Sequence, residues 1–228
     1  LRRNYISSIK NIKRFFSIIK REYLLTFRNF YDILTILVFF TLGVLIFVFS
    51  IGPEHKIYSQ IGFGIIWTLL LLSTTLSLKK FYQDDFNDGS IILIFMSGIS
   101  LEFIVIIKII TAWFFFQFPF IIIIPMVCFL LEVEQSKITL LLLTFVIGSP
   151  ILTTLSSISG AMNLLNDKNI VIGSIIVMLF SIPVIIFSIG ILNASPELIR
   201  AQLSILLGIL MLLLAIAPWI SAACIRIA

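Results

Sequence analysis

Long apolar stretches alternate with short polar ones along most of the chain. A helix needs roughly 20 predominantly apolar residues to cross a hydrocarbon core about 30 Å thick. Six stretches meet this requirement, and they cover residues 33–51, 61–78, 103–131, 138–165, 170–192 and 203–223. The pattern therefore predicts an all-α integral membrane protein with six transmembrane helices.

The third stretch is longer than one straight crossing and contains Pro119 and Pro125. Proline removes a backbone hydrogen-bond donor and clashes with the preceding turn of a helix. We therefore expect a kink or a short break in the third span. Pro183 and Pro218 lie in the fifth and sixth spans.

Residues 1–32 combine an apolar face with a basic one. At helical spacing the apolar face contains Ile9, Ile12, Phe16, Ile19, Tyr23, Phe27 and Phe30, and the basic face contains Lys10, Lys13, Arg14, Lys20, Arg21 and Arg28. Such a segment is typical of an amphipathic helix lying on an anionic membrane surface, where lipids are its partners. The alternative is a basic flank that only sets the topology. The remaining residues, 33–228, form the predicted membrane domain.

The distribution of Lys and Arg predicts the orientation of the chain, because short cytoplasmic loops retain these residues. Thirteen of the 16 lie before the first span, between the second and third, at Lys108 near the start of the third, at Lys168, or at Arg226. The other loops hold only Lys56, Lys137 and Arg200. Both termini are therefore predicted on the cytoplasmic side. Topology accounts for the net charge of +5, so we expect no nucleic-acid partner.

Composition excludes a soluble domain, since 60% of the residues are hydrophobic and the mean hydropathy is +1.19. The chain contains no G-x-x-x-x-G-K-[ST], H-E-x-x-H or G-x-S-x-G motif, so we expect it not to be an enzyme. Lys108 is the one ionisable residue inside a predicted span, and we expect its side chain to reach the inner surface. Ion-driven carriers usually need more such groups, which favours an external energy source.

The residues that bind metals elsewhere are too few to predict a bound cofactor. The single histidine, His55, lies in the first outer loop, and one histidine there is weak evidence for a metal or haem ligand. Cys128 and Cys224 are predicted on opposite sides of the membrane. We therefore expect both to be packing residues without a disulfide.

Small residues recur every four positions in the fourth span, at Ser149, Thr153, Ser157 and Ala161. A small face allows two helices to approach closely. The pattern favours packing inside one bundle, and the alternative is an interface between copies of the chain.

A charged segment, residues 79–90, separates the second and third spans. It is too polar for lipid and too short to fold alone, and it opens a cytoplasmic loop that extends to residue 102. In a membrane chain without a nucleotide motif, this loop indicates a docking site for another subunit that supplies energy. The alternative is a solvated loop whose acidic residues only cap helices.

Several motifs in the order of the chain resemble those of the haem exporter protein B family of the cytochrome c maturation system. In the first half they are Gly52-Pro53-Glu54, Ile61-Gly62-Phe63-Gly64-Ile65-Ile66-Trp67, Leu71-Leu72-Ser73 and Phe81-x-x-Asp84-Asp85-x-x-Asp88-Gly89-Ser90. In the second half they are Lys108 ahead of Ala112-Trp113, Pro119, Pro125, Gly148-Ser149-Pro150, Ile182-Pro183 and Pro218. One departure follows Gly89-Ser90, where the family carries an acidic residue and a proline turn. Here we expect Gly98 to replace the proline as helix breaker.

The resemblance implies an ABC-2 type permease paired with a separate cytoplasmic ABC ATPase. It also implies a haem-handling membrane subunit, a small accessory subunit and a haem chaperone as partners. ATP would be hydrolysed on the ATPase to export haem or to release the loaded chaperone, and haem would be handled by the partners. The implied location is a bacterial inner membrane or the mitochondrial inner membrane, with both termini in the cytoplasm or matrix.

The resemblance also assigns expected roles to residues. Phe81, Asp84, Asp85, Asp88 and Gly89 are expected to couple the chain to the ATPase, with Phe81 as apolar anchor, the aspartates facing basic residues and Gly89 in the turn. Gly52, Pro53 and Glu54 are expected to shape the outer loop. Two alternatives stay open: an ABC-2 permease for a lipid, glycan or drug, and a membrane scaffold without transport.

Overall fold

The computed structural model describes residues 17–25, 27, 30–52, 55–76, 81–96, 98–165, 170–192 and 194–228. At 55–57, 59–60 and 170–172 the description covers the backbone only. Secondary structure in all these ranges is helical, which confirms the predicted all-α class.

The bundle consists of long helices with two short ones between the second and the third. In chain order they are α1 (Phe30–Ile51), α2 (His55–Leu76), α3 (Gln83–Asn87), α4 (Ser90–Met96), α5 (Leu101–Ala112), α6 (Phe118–Leu130), α7 (Gln135–Leu164), α8 (Ile170–Leu192) and α9 (Pro196–Ile227). Residues 17–25 are also helical and are called the N-terminal segment. A π-helical turn, Trp113–Gln117, joins α5 to α6.

Among the described residues, five helices are long and apolar enough to cross a membrane. They are Phe30–Ile51, Leu101–Leu130, Gln135–Leu164, Gly173–Leu192 and Pro196–Ile227. The predicted span at 61–78 corresponds to α2, whose apolar part, Ile61–Leu76, is shorter than a full crossing. Polar residues occupy the first turns of α2. The membrane class is therefore confirmed, whereas the count of six is not reached by this criterion.

The third span continues through its prolines without a break. The Phe118 N–H bonds to the Trp113 carbonyl, five residues back, in a wider π-helical turn just before Pro119. Pro119 cannot donate to the turn that precedes it, and a π-helical turn is a known way to accommodate an irregular hydrogen-bond ladder. The expected irregularity is present at this place, but as a widened turn.

Helix α7 lies at the centre of the bundle and packs mainly on α8 and α9. Every residue from 151 to 161 is buried. The predicted small-residue strip, Ser149, Thr153, Ser157 and Ala161, is at most 4% exposed. Its interpretation as packing within one bundle is confirmed.

Gly148 shows how closely the helices approach. A Cβ atom added to Gly148 would lie 2.5 Å from Cη2 of Trp67 on α2, and Trp67 is fully buried. Real Cβ atoms do not come this close to another heavy atom, so the contact between α7 and α2 requires glycine at this position.

We predict that Gly148→Ala lowers the thermal stability of the purified protein in detergent. The Trp67 ring has to move, and overpacking of this kind costs about 1–3 kcal/mol. Gly208→Ala is the matched control, because Gly208 lies in α9 with open space where its Cβ would be. Equal melting temperatures for the two variants would contradict the close packing.

Candidate functional site

The two short helices α3 and α4 meet at a tight turn formed by Asp88, Gly89 and Ser90. Gly89 has φ +72°, a conformation that favours glycine. The Asp88 carboxylate accepts the Ser90 N–H at 2.9 Å and the Ser90 hydroxyl at 2.5 Å. Both hydrogen bonds lower the pKa of the Asp88 carboxyl, and the bond from the Ser90 hydroxyl has the larger effect. The predicted turn into the next helix is therefore confirmed, and Asp88 stabilises the start of α4.

A second glycine ends α4. Gly98 has φ +85°, and its N–H donates to the Phe95 carbonyl at 3.0 Å. The expected role of Gly98 as helix breaker is confirmed, because the chain leaves α4 here and enters α5 at Leu101.

Tyr82 attaches the start of α3 to the membrane helices. Its side chain is 1% exposed, and its hydroxyl lies 2.7 Å from the Ser157 hydroxyl on α7. Ser157 in turn lies 3.4 Å from the Ser221 hydroxyl on α9. Burial raises the pKa of the Tyr82 phenol. This contact needs the small residues of the α7 strip, since a larger side chain at Ser157 would exclude the tyrosine.

Asp85 faces the protein interior and is 8% exposed. Its carboxylate pairs with the Lys108 ammonium of α5 and accepts a hydrogen bond from the Arg21 guanidinium at 2.6 Å. It also lies 2.9 Å from the Ser90 hydroxyl, whose one proton it shares with Asp88. One side chain of α3 thus binds the N-terminal segment, α4 and α5 together.

Glu22 completes the cluster. Its carboxylate lies 3.1 Å from the Lys108 ammonium and 2.7 Å from the Arg21 guanidinium. We call Arg21, Glu22, Asp85 and Lys108 the ionic clamp. Two positive and two negative charges make the clamp neutral, and opposite charges at hydrogen-bond distance offset the desolvation of burial.

Electrostatics keep Asp85 ionised in spite of its burial. Burial raises the pKa of the Asp85 carboxyl, but the Lys108 charge, the hydrogen bond from Lys108 and the hydrogen bond from Arg21 outweigh it, so the pKa falls to about 2. Burial lowers the pKa of Arg21, and Asp85 and Glu22 outweigh that effect, so the pKa is raised. Asp85 and Arg21 are therefore held in their ionised form.

The residues predicted to couple to a partner divide between two faces. Asp84 and Asp88 are exposed, and Gly89 lies in the turn between the helices. Phe81 is half-buried, with its ring centroid 5.1 Å from that of Tyr82. The expectation that Asp85 points towards a partner is corrected, because its carboxylate is used inside the chain.

Lys108 also differs from its expected placement. Its side chain is 8% exposed and does not reach the surface, since the two acidic partners lie beside it. Its ammonium lies 5.7 Å from the Tyr82 ring centroid. The signal for this pairing is in the sequence: a lysine inside an apolar span needs an acidic partner. Arg21, Glu22 and Tyr82 were not predicted as site residues.

The end of α9 is attached near the same segment. Arg226 donates to the Glu102 carboxylate at 2.5 Å, and Glu102 lies at the start of α5. The C-terminus therefore lies at the same end of the bundle as α3 and α4.

The remaining residues singled out in the sequence are those of the outer loop, the histidine and the two cysteines. Gly52 ends α1 with φ +72°, and its carbonyl accepts the Tyr58 hydroxyl at 2.8 Å. Pro53, Glu54 and the His55 side chain lie outside the described residues. In the part of the chain that the structure describes, no group of three or more His, Cys, Asp or Glu residues fits a metal ion. Both cysteines are free.

Comparison with known proteins identifies relatives along most of the chain. A family model described as CcmB protein matches residues 13–228. The chain is 33% identical to "Heme exporter protein B" of Haemophilus influenzae over 167 residues, 73% of this chain and 76% of that protein. It is 29% identical to the protein of that name from Pseudomonas aeruginosa over 145 residues, 64% of this chain and 65% of the relative. With the Rhodobacter capsulatus protein it shares 31% identity over 126 residues, 55% and 58% of the two chains.

We predict that Asp85→Asn strongly destabilises the protein. Removing one partner from a buried ion pair leaves the other charge uncompensated, which costs about 3–5 kcal/mol. Thermal unfolding in detergent measures the effect. Asp84→Asn is the matched control, because Asp84 is the adjacent exposed carboxylate and surface substitutions change stability by about 0.5 kcal/mol or less. Equal destabilisation by both variants would contradict the clamp.

The clamp also predicts a pH dependence. The pKa of Asp85 is about 2 in the folded chain, below the value of about 3.9 for a free aspartate. Ionised Asp85 therefore stabilises the fold above about pH 4, and this contribution is lost as the pH falls towards about 2. The difference in melting temperature between wild type and Asp85→Asn is expected to shrink over that window. A difference that stays constant down to pH 2 would show that the Asp85 charge is not its source.

Proposed function

The chain belongs to the CcmB protein family, and from this premise we propose that it is the membrane subunit of a haem-export complex that serves cytochrome c maturation. The observation that carries the proposal is the family match over residues 13–228. The names of the relatives, heme exporter protein B, and the apolar spans support it.

In this proposal the chain does not hydrolyse ATP itself. It uses the conformational change of a partner that does. A separate cytoplasmic ABC ATPase supplies the energy, and a haem-handling membrane subunit, a small accessory subunit and a haem chaperone complete the complex. The work is export of haem or release of the loaded chaperone. The chain need not bind haem itself for either task.

The ATPase docks on the exposed face of α3. Asp84 and Asp88 present carboxylates there, and Phe81 at the start of the segment offers part of an aromatic ring. A basic groove on the ATPase would match this surface, since charged groups across an interface are usually complementary in sign. Asp85 is not part of the docking set, because Lys108 and Arg21 occupy its carboxylate.

Through the ionic clamp, a movement of α3 also moves the helices of the membrane domain. Asp85 connects α3 directly to Lys108 in α5 and to Arg21 in the N-terminal segment. Tyr82 adds a connection to α7 through Ser157. Short contacts between buried groups resist separation, so α3 moves together with the ends of these helices.

We place the complex in a bacterial inner membrane or the mitochondrial inner membrane, with α3 and α4 in the cytoplasm or matrix. The concentration of Lys and Arg in the corresponding loops supports this orientation. The Arg226–Glu102 pair supports a C-terminus on the same side.

The experiment that tests the function is purification of the C-terminally tagged chain from native membranes in mild detergent, with mass spectrometry of every protein that accompanies it. The expected partners are an ABC ATPase and a haem-handling membrane protein. An ATPase alone would favour a permease for a lipid, glycan or drug. Absence of any ATPase would favour a scaffold and would overturn the proposal.

We predict that Asp84→Lys releases the ATPase while the chain still inserts and folds. Placing like charges opposite each other costs several kcal/mol, and about 1.4 kcal/mol already corresponds to a tenfold loss of affinity. The measurement is the amount of ATPase recovered with the tagged chain.

Glu197→Lys is the matched control for this experiment. It reverses an exposed carboxylate in the first turn of α9, at the opposite end of that helix from Arg226. Full recovery of the ATPase with Asp84→Lys would remove α3 from the docking surface.

A further inference from the structure

Helix α4 exposes a cluster of large apolar side chains beside the acidic surface of α3. Ile92 is 58% exposed, Leu93 68%, Phe95 48% and Met96 77%. Contiguous apolar patches rarely face water in proteins, and they mark sites of contact with a partner or a membrane. In the part of the chain that the structure describes, these four side chains are left without a cover.

The opposite face of α4 packs on the membrane helices. Ile91 is 3% exposed and belongs to a buried cluster that includes Ile104 of α5 and Ile158 of α7. Ile94 packs against the same cluster. Helix α4 therefore lies against the ends of the spans, with its exposed side chains directed away from them.

The charge pattern distinguishes α4 from α3. No Asp, Glu, Lys or Arg occurs between Asp88 and Glu102, whereas α3 contains two acidic residues in five. The acidic surface of α3 suits contact with a soluble protein partner. An uncharged surface of four large apolar groups matches the acyl boundary of a lipid bilayer.

The clamp fixes the depth at which α4 begins. Ser90, its first residue, shares the Asp85 carboxylate with Lys108. Lys108 is seven residues into the continuous helix Leu101–Leu130, so it lies about 10 Å along that helix. This 30-residue helix is about 45 Å long, against a hydrocarbon core of about 30 Å. When the length by which the helix exceeds the hydrocarbon core is divided equally between its two ends, Lys108 and Ser90 lie at the edge of that core.

The N-terminal segment provides a neighbouring surface of the same kind. Its Arg21 donates to the Ser90 hydroxyl at 2.8 Å, and its Tyr23 and Leu24 are 49% and 54% exposed. The Tyr23 ring centroid lies 5.0 Å from that of Phe115 in the π-helical turn of the third span. Exposed apolar groups thus continue from α4 to a segment that runs beside a membrane helix.

We propose that α4 is an interfacial helix whose exposed side chains, Ile92, Leu93, Phe95 and Met96, contact the lipids of the adjacent leaflet. The segment between the second and third spans then has two different environments, with α3 in water and α4 in the membrane interface. Lipid contact holds α3 at the membrane surface. The proposal does not depend on the ATPase, because it concerns the chain in a bilayer alone.

The test uses single cysteines in a variant that lacks the native ones, Cys128→Ala with Cys224→Ala. Leu93→Cys and Met96→Cys probe α4, and Asn87→Cys on the exposed side of α3 is the matched control. Each chain is placed in nanodiscs of phosphatidylethanolamine and phosphatidylglycerol and treated with a membrane-impermeant maleimide. Only the thiolate reacts, and a thiol pKa raised by about one unit in apolar surroundings lowers the thiolate fraction about tenfold.

Labelling of Leu93→Cys and Met96→Cys is expected to be at least about tenfold slower than that of Asn87→Cys. A nitroxide at the same α4 positions is expected to collide more with dissolved oxygen than with a water-soluble nickel chelate, and the opposite is expected at Asn87. Equal labelling rates at all three positions would overturn the proposal. A second result would also overturn the proposal: equal labelling rates in the nanodisc alone, with a decrease at Leu93→Cys only after the ATPase is added. That result would show that the ATPase covers the α4 surface.

Discussion

The pairing of Lys108 with Asp85 and Glu22 is the interaction on which the described site depends. A charged lysine inside an apolar span destabilises the fold unless acidic groups neutralise it. Here the two carboxylates come from two separate elements, α3 and the N-terminal segment, and Arg21 balances the second negative charge. Neutralising one buried charge therefore brings three elements together at one end of the bundle.

That arrangement gives α3 two different faces. Tyr82 and Asp85 face inward and attach the helix to the bundle, and Asp84 and Asp88 face outward. The inward contact depends in turn on α7, whose serine at position 157 leaves room for the Tyr82 ring. A short helix with a firmly bound inner face and an acidic outer face suits the transfer of force from a partner, which is the function proposed for this family member.

The third span combines rigidity at its end with irregularity in its middle. Lys108 ties α5 to the clamp, and the π-helical turn follows one helical turn later. Trp113 in this turn donates its indole N–H to the Ser149 hydroxyl of α7 at 2.9 Å. The widened turn thus has its own contact with the central helix.

The sequence by itself determined the membrane class, most span boundaries, the turn at Asp88-Gly89-Ser90 and the break at Gly98. These features are local: lipid requires continuous apolar stretches, and glycine is favoured where φ is positive. The tertiary structure alone decided which acidic residue pairs with Lys108 and which faces outward. Asp84 and Asp85 are neighbours of identical charge, and only Asp85 lies opposite Arg21, 64 positions earlier in the chain. Contacts over such separations depend on how the helices pack, which local pattern does not encode.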